Sequence, residues 1–378
     1  MEVSVHLNRR EVPAQFQNDV AWSLACRKYA ANMAPMNGRV GESAFVLLPV
    51  TRDRALRALV AIAAVTGLAA LLVRSRRQPT PAPRPEVART DAVIVGAGIA
   101  GLSAAYELAH GGAHVIVMDL ASVFGGHAVM ATGDVCIVGT PYQEEHGVHD
   151  TPEIAYQDFV KWGDDPNPEW ARYYVEHSRE EIYDWVTRLG VTFESMVTPA
   201  GNSVPRTHRT KGRGIALVSP IYAECVKQPN IRFDWNARAD RLIVEGKRIV
   251  GVEATRIRTG EKLELRAAAV VLATGGFQSN LDMVREAWSK DMAFPADFLI
   301  GSGMNSVGSG HKIAQGAGAE LTRMDHQWNY ITGLPDPRFP GTKRGLNALN
   351  PDSVWVNAEG KRFIAERTSA KYAFPALV

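Results

Sequence analysis

An α/β fold, with a parallel sheet interrupted by an antiparallel β-meander, is what this sequence predicts, and three observations predict it. First, "DAVIVGAGIAGLSAAYELAHGGAHVIVMDL", residues 91–120, reads as strand, tight turn, helix, strand. Second, from Ile231 the hydrophobic period changes to two, with the hairpin signals "EGK" and "TGE" between alternating segments. Third, "AVVLA" is continuously apolar, as a strand buried on both faces should be, and it runs into "TGG". With 378 residues, 46% of them hydrophobic, the chain is long enough for a sizeable core. Its net charge of +2 makes no bulk electrostatic case for nucleic acid. Cys26, Cys136 and Cys225 form neither a CxxC pair nor a metal spacing, so they read as reduced, buried thiols and no metal is expected.

Residues 1–54 show no clear periodicity and read as an N-terminal tail. Residues 55–73 contain "ALVAIAAVTGLAALLV", uninterrupted by charge and flanked by Arg57 and Arg74. As a helix it spans about 24 Å, and snorkelling arginines extend it toward the ~30 Å hydrocarbon core. The first expectation is one N-terminal transmembrane helix, with a cleaved signal peptide or a buried core helix as alternatives. The slight arginine excess on its C-terminal side places the main domain in the cytoplasm. A linker rich in Pro and Arg follows over 74–90.

The main domain is expected over 91–325. Its first strand is Ala92 to Val95, and Leu102, Ala105, Leu108 and Ala109 then recur at helical spacing. Gly111 and Gly112 stop that helix, and "HVIVMD" is the second strand. "EIAYQDFVKWG" and "EWARYYVEHSREEIYDWVTRLG" read as helices, the second ended by Gly190. The meander and its return strand occupy 231–276. "GSGHKIAQGAGAEL" reads as a short helix entered through glycines. Residues 326–378 are loop-rich, with one strand at "SVWVN" and a turn at "AEGK".

Gly96-Ala97-Gly98-Ile99-Ala100-Gly101 fits GxGxxG, directly after a strand and opening a helix, which is the context that motif requires. Gly96 permits the tight turn, Gly98 lets a pyrophosphate approach the backbone, and Gly101 lets helix and sheet pack closely. The helix N-terminus offers free N–H groups to the phosphates. Asp119 ends the second strand about twenty residues on, where a carboxylate accepts hydrogen bonds from ribose hydroxyls. These residues make a Rossmann-like dinucleotide site and do not by themselves separate NAD from FAD.

Several further stretches do separate them. "GGHAVMATGD", "GTPYQ", "HDTPEIAYQDF", "PRTHRTKGRG", "VVLATGGF", "GSGHKIAQGAGA" and "VNAEGKRFIAE" occur in that order. With "DAVIVGAGIAGLSAA" they make Asp91 to Arg367 resemble the FAD-binding flavoproteins of the fumarate reductase and succinate dehydrogenase type, a group that includes ketosteroid dehydrogenases. The resemblance implies FAD in an extended pose. Gly96, Gly98, Gly101 and Asp119 would hold adenosine and pyrophosphate. Gly125, Gly126, His127 and Ala128 would pass beside the flavin. Ala239 would meet adenine through its backbone, and Thr274, Gly275 and Gly276 would close over the cofactor. In succinate dehydrogenase-like members a histidine at the position of His127 binds FAD covalently. His127 is therefore a candidate attachment site, the alternative being a hydrogen bond to the flavin.

The resemblance also implies hydride exchange between the flavin and a substrate carbon, with a protein group moving a proton. Here the sequence departs from the fumarate reductases. Ala370 stands where their arginine acid is expected, and Tyr330 where a substrate-binding histidine is expected. Arg367, Tyr330 and His208 remain the candidate catalytic residues. Against those roles stand a surface arginine, a core aromatic and a loop-organising histidine. Asp134 replaces a family glycine and is expected to repel anionic substrates. The chain stops at Val378 without the glycine-rich segment that closes the family's FAD site, so 326–378 reads as a partial substrate-capping domain. The expected function is a membrane-anchored, FAD-dependent oxidoreductase acting on a CH–CH or related bond of a small molecule. No haem motif occurs, so a separate electron donor or acceptor is required. The alternatives are an inert FAD-binding fragment and an NAD-dependent dehydrogenase.

Overall fold

The computed structural model describes residues 86–378 except 164, 302, 331–332, 348–353, 367–372 and 377–378. The expected tail, the membrane helix at 55–73 and most of the linker lie outside these residues. Among the described residues no helix is long and apolar enough to cross a membrane.

A six-stranded mixed sheet organises the molecule. Strand β1 (Glu86–Val95) leads through helix α1 (Ile99–His110) to β2 (Val115–Asp119). A loop, β3 (Asp134–Cys136) and three helices follow: α2 (Pro141–Glu145), α3 (Pro152–Trp162) and α4 (Pro168–Ser178). Each of these helices opens on a Thr-Pro or Asn-Pro pair, with the Thr140, Thr151 or Asn167 side chain accepting a backbone N–H. Proline suits the first helical position because its missing N–H would be unpaired there anyway. The expected long helix continues from α4 through a π-helical turn, Arg179–Asp184, into α5 (Trp185–Arg188). Gly190 follows with φ +97°, the left-handed conformation expected of its helix stop.

Strands β4 (Phe193–Val197) and β5 (Thr207–Thr210) make a small antiparallel sheet with β3, in the order β3-β5-β4. Helix α6 (Arg213–Lys227) then leads to β6 (Ile231–Trp235) and the meander: β7 (Ala237–Glu245), β8 (Arg248–Arg256) and β9 (Lys262–Leu272). The main sheet has the order β6-β2-β1-β9-β8-β7. β6, β2, β1 and β9 run parallel, while β9, β8 and β7 are antiparallel neighbours. Both hairpin signals are turns, with Gly246 and Gly260 at positive φ. Short helices α7 (Leu281–Glu286) and α8 (Ser309–Gly316) and a two-stranded ribbon, β10 (Gly333–Pro335) with β11 (Gly345–Asn347), complete the chain.

Three expectations are corrected. The first strand starts at Glu86, inside the expected linker, because "EVART" pairs residue by residue with Leu263 to Ala267. The return strand "AVVLA" is not separate from the meander. It is the second half of β9, whose first half bonds β8 and whose whole length bonds β1. The strand at "SVWVN" reduces, among the described residues, to one bridge between Val356 and Arg362.

Period-two alternation in β1 and β2 divides the core. Ala92, Ile94, Val115 and Val117 face α1 and α6, meeting Leu102, Ala105, Val218 and Ile221. Val93, Val95, Ile116 and Met118 face the meander, meeting Leu242, Val252, Leu263 and Leu265. Both free thiols sit where burial silences them, Cys136 pushed up to about 11 and Cys225 to about 12. Cys26 lies outside the described residues.

Candidate functional site: a dinucleotide cradle

The expected cofactor residues converge at the carboxyl ends of β1, β2 and β9, where open α/β sheets bind ligands. Their glycines divide into two kinds. A Cβ at Gly96 would sit 2.3 Å from the Ala273 carbonyl oxygen, and one at Gly101 would sit 1.9 Å from the Gly96 oxygen. These two are required by the protein's own packing. A Cβ at Gly98, by contrast, would meet nothing within 4 Å. Gly98 is the N-cap of α1 and supplies no side-chain cap, so the first N–H groups of the helix, at Ile99 and Ala100, receive no acceptor from it. The fold leaves room for an anionic group there, and a pyrophosphate fits the room and the donors.

Asp119 holds the cradle's wall. Its two oxygens accept the Ala97 and Ala121 N–H groups, each at 2.7 Å. Burial pushes its pKa up, and these two bonds oppose the shift. The ribose contact expected of this carboxylate therefore falls to the lone pairs left over. Asn236, at φ +56°, donates its N–H to the Ala121 oxygen and so brings the start of β7 beside Asp119. Ala239 lies two residues into that strand beyond Ala237, paired with Ala254.

The double-glycine loop packs directly on the fingerprint. Gly125 donates to the Ala97 oxygen at 2.7 Å, and a Cβ at Gly126 would come 3.6 Å from the Gly98 Cα. Gly125 and Gly126 both take positive φ, at +106° and +53°. Ala128 begins a short 3₁₀ turn, and a Cβ at Gly214 would lie 2.1 Å from its oxygen, so the entry of α6 is pressed against this loop. His127 is exposed, and its Nδ1 accepts the Gly303 N–H at 3.2 Å. That bond occupies the Nδ1 lone pair and leaves the proton of the neutral ring on Nε2.

On the other side, Thr274, Gly275 and Gly276 follow β9. Gly310 of α8 is packed so tightly that a Cβ there would lie 1.9 Å from the Thr274 Oγ1. Gly308 donates to the Gly276 oxygen, and Ser279 donates to the Gly303 oxygen. Residues 303–310 are thus a wall that the sequence reading missed. Its signal lies in the glycines of "GSGMNSVGSG", of which the helix-entry reading of "GSGHKIAQGAGAEL" takes in only Gly308 and Gly310.

The three catalytic candidates are not brought to this cradle together. His208 is fully buried, with Nδ1 against the Arg206 oxygen at 2.9 Å and Nε2 against the Thr140 Oγ1 at 2.7 Å. Burial lowers its pKa, and both nitrogens are occupied within the protein, so its substrate role gives way to an organising one. Tyr330 stands 73% exposed on the stretch after α8. Arg367 lies outside the described residues. Asp134 is likewise corrected. Its two oxygens form a bidentate pair with Arg209 at 2.8 and 2.9 Å, which offsets the charge expected to repel anions.

The sequence matches the FAD binding domain family over residues 91–373. It is 35% identical over 308 residues to a KsdD-like steroid dehydrogenase of Mycobacterium tuberculosis, covering 72% of this chain and 54% of the relative. The fold is similar to the open conformation of a flavocytochrome c3 fumarate reductase, with TM-score 0.66, 27% identity, 87% of this chain and 53% of that one. It is also similar to a 3-ketosteroid-Δ4-(5α)-dehydrogenase from Rhodococcus jostii RHA1, with TM-score 0.57, 27% identity, 66% of this chain and 58% of that one. The chain spans about half the length of the curated relatives it matches. With the family matched over most of the chain and a relative 35% identical over 72% of it, the chain belongs to the FAD-binding domain family of fumarate reductase and ketosteroid dehydrogenase type.

Proposed function

We propose that the chain is the cofactor-binding portion of an FAD-dependent dehydrogenase that acts on a carbon–carbon bond of a steroid-type ketone. The observation that carries the cofactor reading is the open space at Gly98, the residue at which α1 begins without a side-chain cap. The substrate class rests on the relatives named as steroid dehydrogenases and on the replacement of the dicarboxylate residues at Ala370 and Tyr330.

When bound, FAD supplies a two-electron hydride acceptor or donor. The first N–H groups of α1 would hold its pyrophosphate. Asp119 keeps the glycine turn in shape through Ala97. His127 ties the 303–310 wall to the double-glycine loop through Gly303. Tyr330 is the candidate to hold or move the proton at the substrate carbon, and a separate acceptor would take the electrons from the cofactor. With its Nδ1 held by the Gly303 N–H, His127 serves in this proposal as a tie between two segments and not as an attachment site, so acid precipitation is expected to release FAD into the supernatant. A yellow pellet contradicts this.

The test of function is an anaerobic titration of the FAD-loaded protein with a 3-ketosteroid. Bleaching of the flavin band is the expected result. A band unchanged by the steroid, in a protein whose reduced form is reoxidised by fumarate, contradicts the proposal.

A further inference from the structure

A closed ring of buried hydrogen bonds lies behind the double-glycine loop. The Arg206 guanidinium, with no exposed surface, grips both oxygens of Asp150 through Nε and Nη2, at 3.0 and 2.8 Å. Asp150 also accepts the Gln143 Nε2–H at 3.0 Å. Gln143 and Thr140 cap α2 reciprocally, at 2.9 and 3.1 Å. Thr140 meets the His208 Nε2 at 2.7 Å, and the His208 Nδ1 returns to the Arg206 carbonyl at 2.9 Å. That carbonyl is only an acceptor, so Nδ1 carries the proton, Nε2 accepts, and the Thr140 hydroxyl must donate. The Arg206 carbonyl thus fixes the His208 tautomer, and His208 in turn fixes the Thr140 hydroxyl proton.

The ring is fastened to the cofactor side by β5. The Arg206 carbonyl also accepts the Ile137 N–H at 3.0 Å, just beyond β3. Two residues past His208, the buried Thr210 reaches the Gly133 and Arg213 carbonyls through Oγ1, at 3.1 and 2.8 Å. Its N–H donates to the same Gly133 oxygen, and the Gly214 N–H donates to the Ala131 oxygen. The end of the double-glycine loop therefore hangs from β5, and β5 hangs from the ring.

We propose that Thr140 and His208 are positioning residues for the flavin: the ring sets where residues 125–134 stand against the cofactor, and its proton pattern tunes flavin binding from a distance. The proposal rests on the FAD reading above. Buried polar rings are costly when incomplete, because one missing donor leaves an unsatisfied acceptor.

The experiment uses the full chain and FAD, read by affinity and by visible circular dichroism of the bound flavin. Thr140→Val keeps shape and removes the hydroxyl. Thr140→Ser keeps the hydroxyl. Thr140→Val is expected to bind FAD about tenfold more weakly with an altered flavin signal, and Thr140→Ser to stay within about twofold of wild type. Should Thr140→Val fail to fold, His208→Phe decides. It keeps the ring packing against Tyr142, Tyr183 and Phe193, and the same loss is expected. Wild-type affinity and spectrum in the folded variant overturn the proposal, as does equal loss in Thr140→Ser. A wild-type protein that takes up no FAD overturns the cofactor reading and this proposal with it, whereas variants indistinguishable from an FAD-loaded wild type overturn this proposal alone.

Discussion

Around the cradle, backbone presses on backbone. A Cβ at Gly96, Gly101 or Gly214 would approach another main-chain oxygen to 2.3, 1.9 or 2.1 Å. Beyond α8 several large apolar side chains face outward instead, with Trp328, Tyr330 and Val354 at 66, 73 and 68% exposed. The cofactor region is thus specified by its own contacts, while the stretch expected to meet substrate carries large apolar groups at its surface. The difference teaches that cofactor identity and substrate identity are encoded differently. One lies in steric exclusion at a few glycines, the other in side chains displayed on a looser frame.

The sharpest way to break this comparison is at the two kinds of glycine. Gly101→Ala forces a methyl into the Gly96 carbonyl and is expected to cost about 3 kcal/mol of stability, seen in thermal unfolding, and to abolish FAD uptake. Gly98→Ala meets no protein atom and is expected to melt as the wild type does, yet to bind FAD at least about tenfold more weakly by fluorescence titration. Equal behaviour of the two variants would erase the distinction.

The second way is at the outer region. Tyr330→Phe is expected to lower steroid-dependent flavin reduction about a hundredfold with FAD affinity unchanged. A loss of FAD affinity instead would make Tyr330 part of the cradle.

The smallest effect is a pH dependence. Burial lowers the pKa of His208, so the unfolded chain binds its proton more readily than the folded one. Stability then falls as pH drops below the unfolded value of about 6.5. Melting temperatures of the wild type between about pH 7.5 and 5.5 should fall more steeply than those of His208→Phe. Parallel slopes would contradict the buried neutral imidazole.

The sequence made the cradle legible because its signals are local. A strand, GxGxxG, a helix and Asp119 occupy one short stretch, and each glycine's role follows from φ or close approach. The meander turns were equally legible. What escaped was set by distant partners. Glu86 to Thr90 read as linker until β9 supplied the neighbouring strand. Asp134 read as a free charge until Arg209, opposite it on β5, paired with it. His208 read as a catalytic candidate because nothing local shows that Thr140 and Arg206 claim both its nitrogens. The 303–310 wall joins His127 across a long sequence separation, which no spacing rule reports.

The central claim is that the space at Gly98 belongs to FAD. Titration of FAD onto the purified chain, followed by flavin absorbance and fluorescence with NAD as competitor, tests it most directly. Saturable uptake of one flavin per chain, undisturbed by NAD, is the predicted result. Absence of uptake, or displacement by NAD, would contradict it.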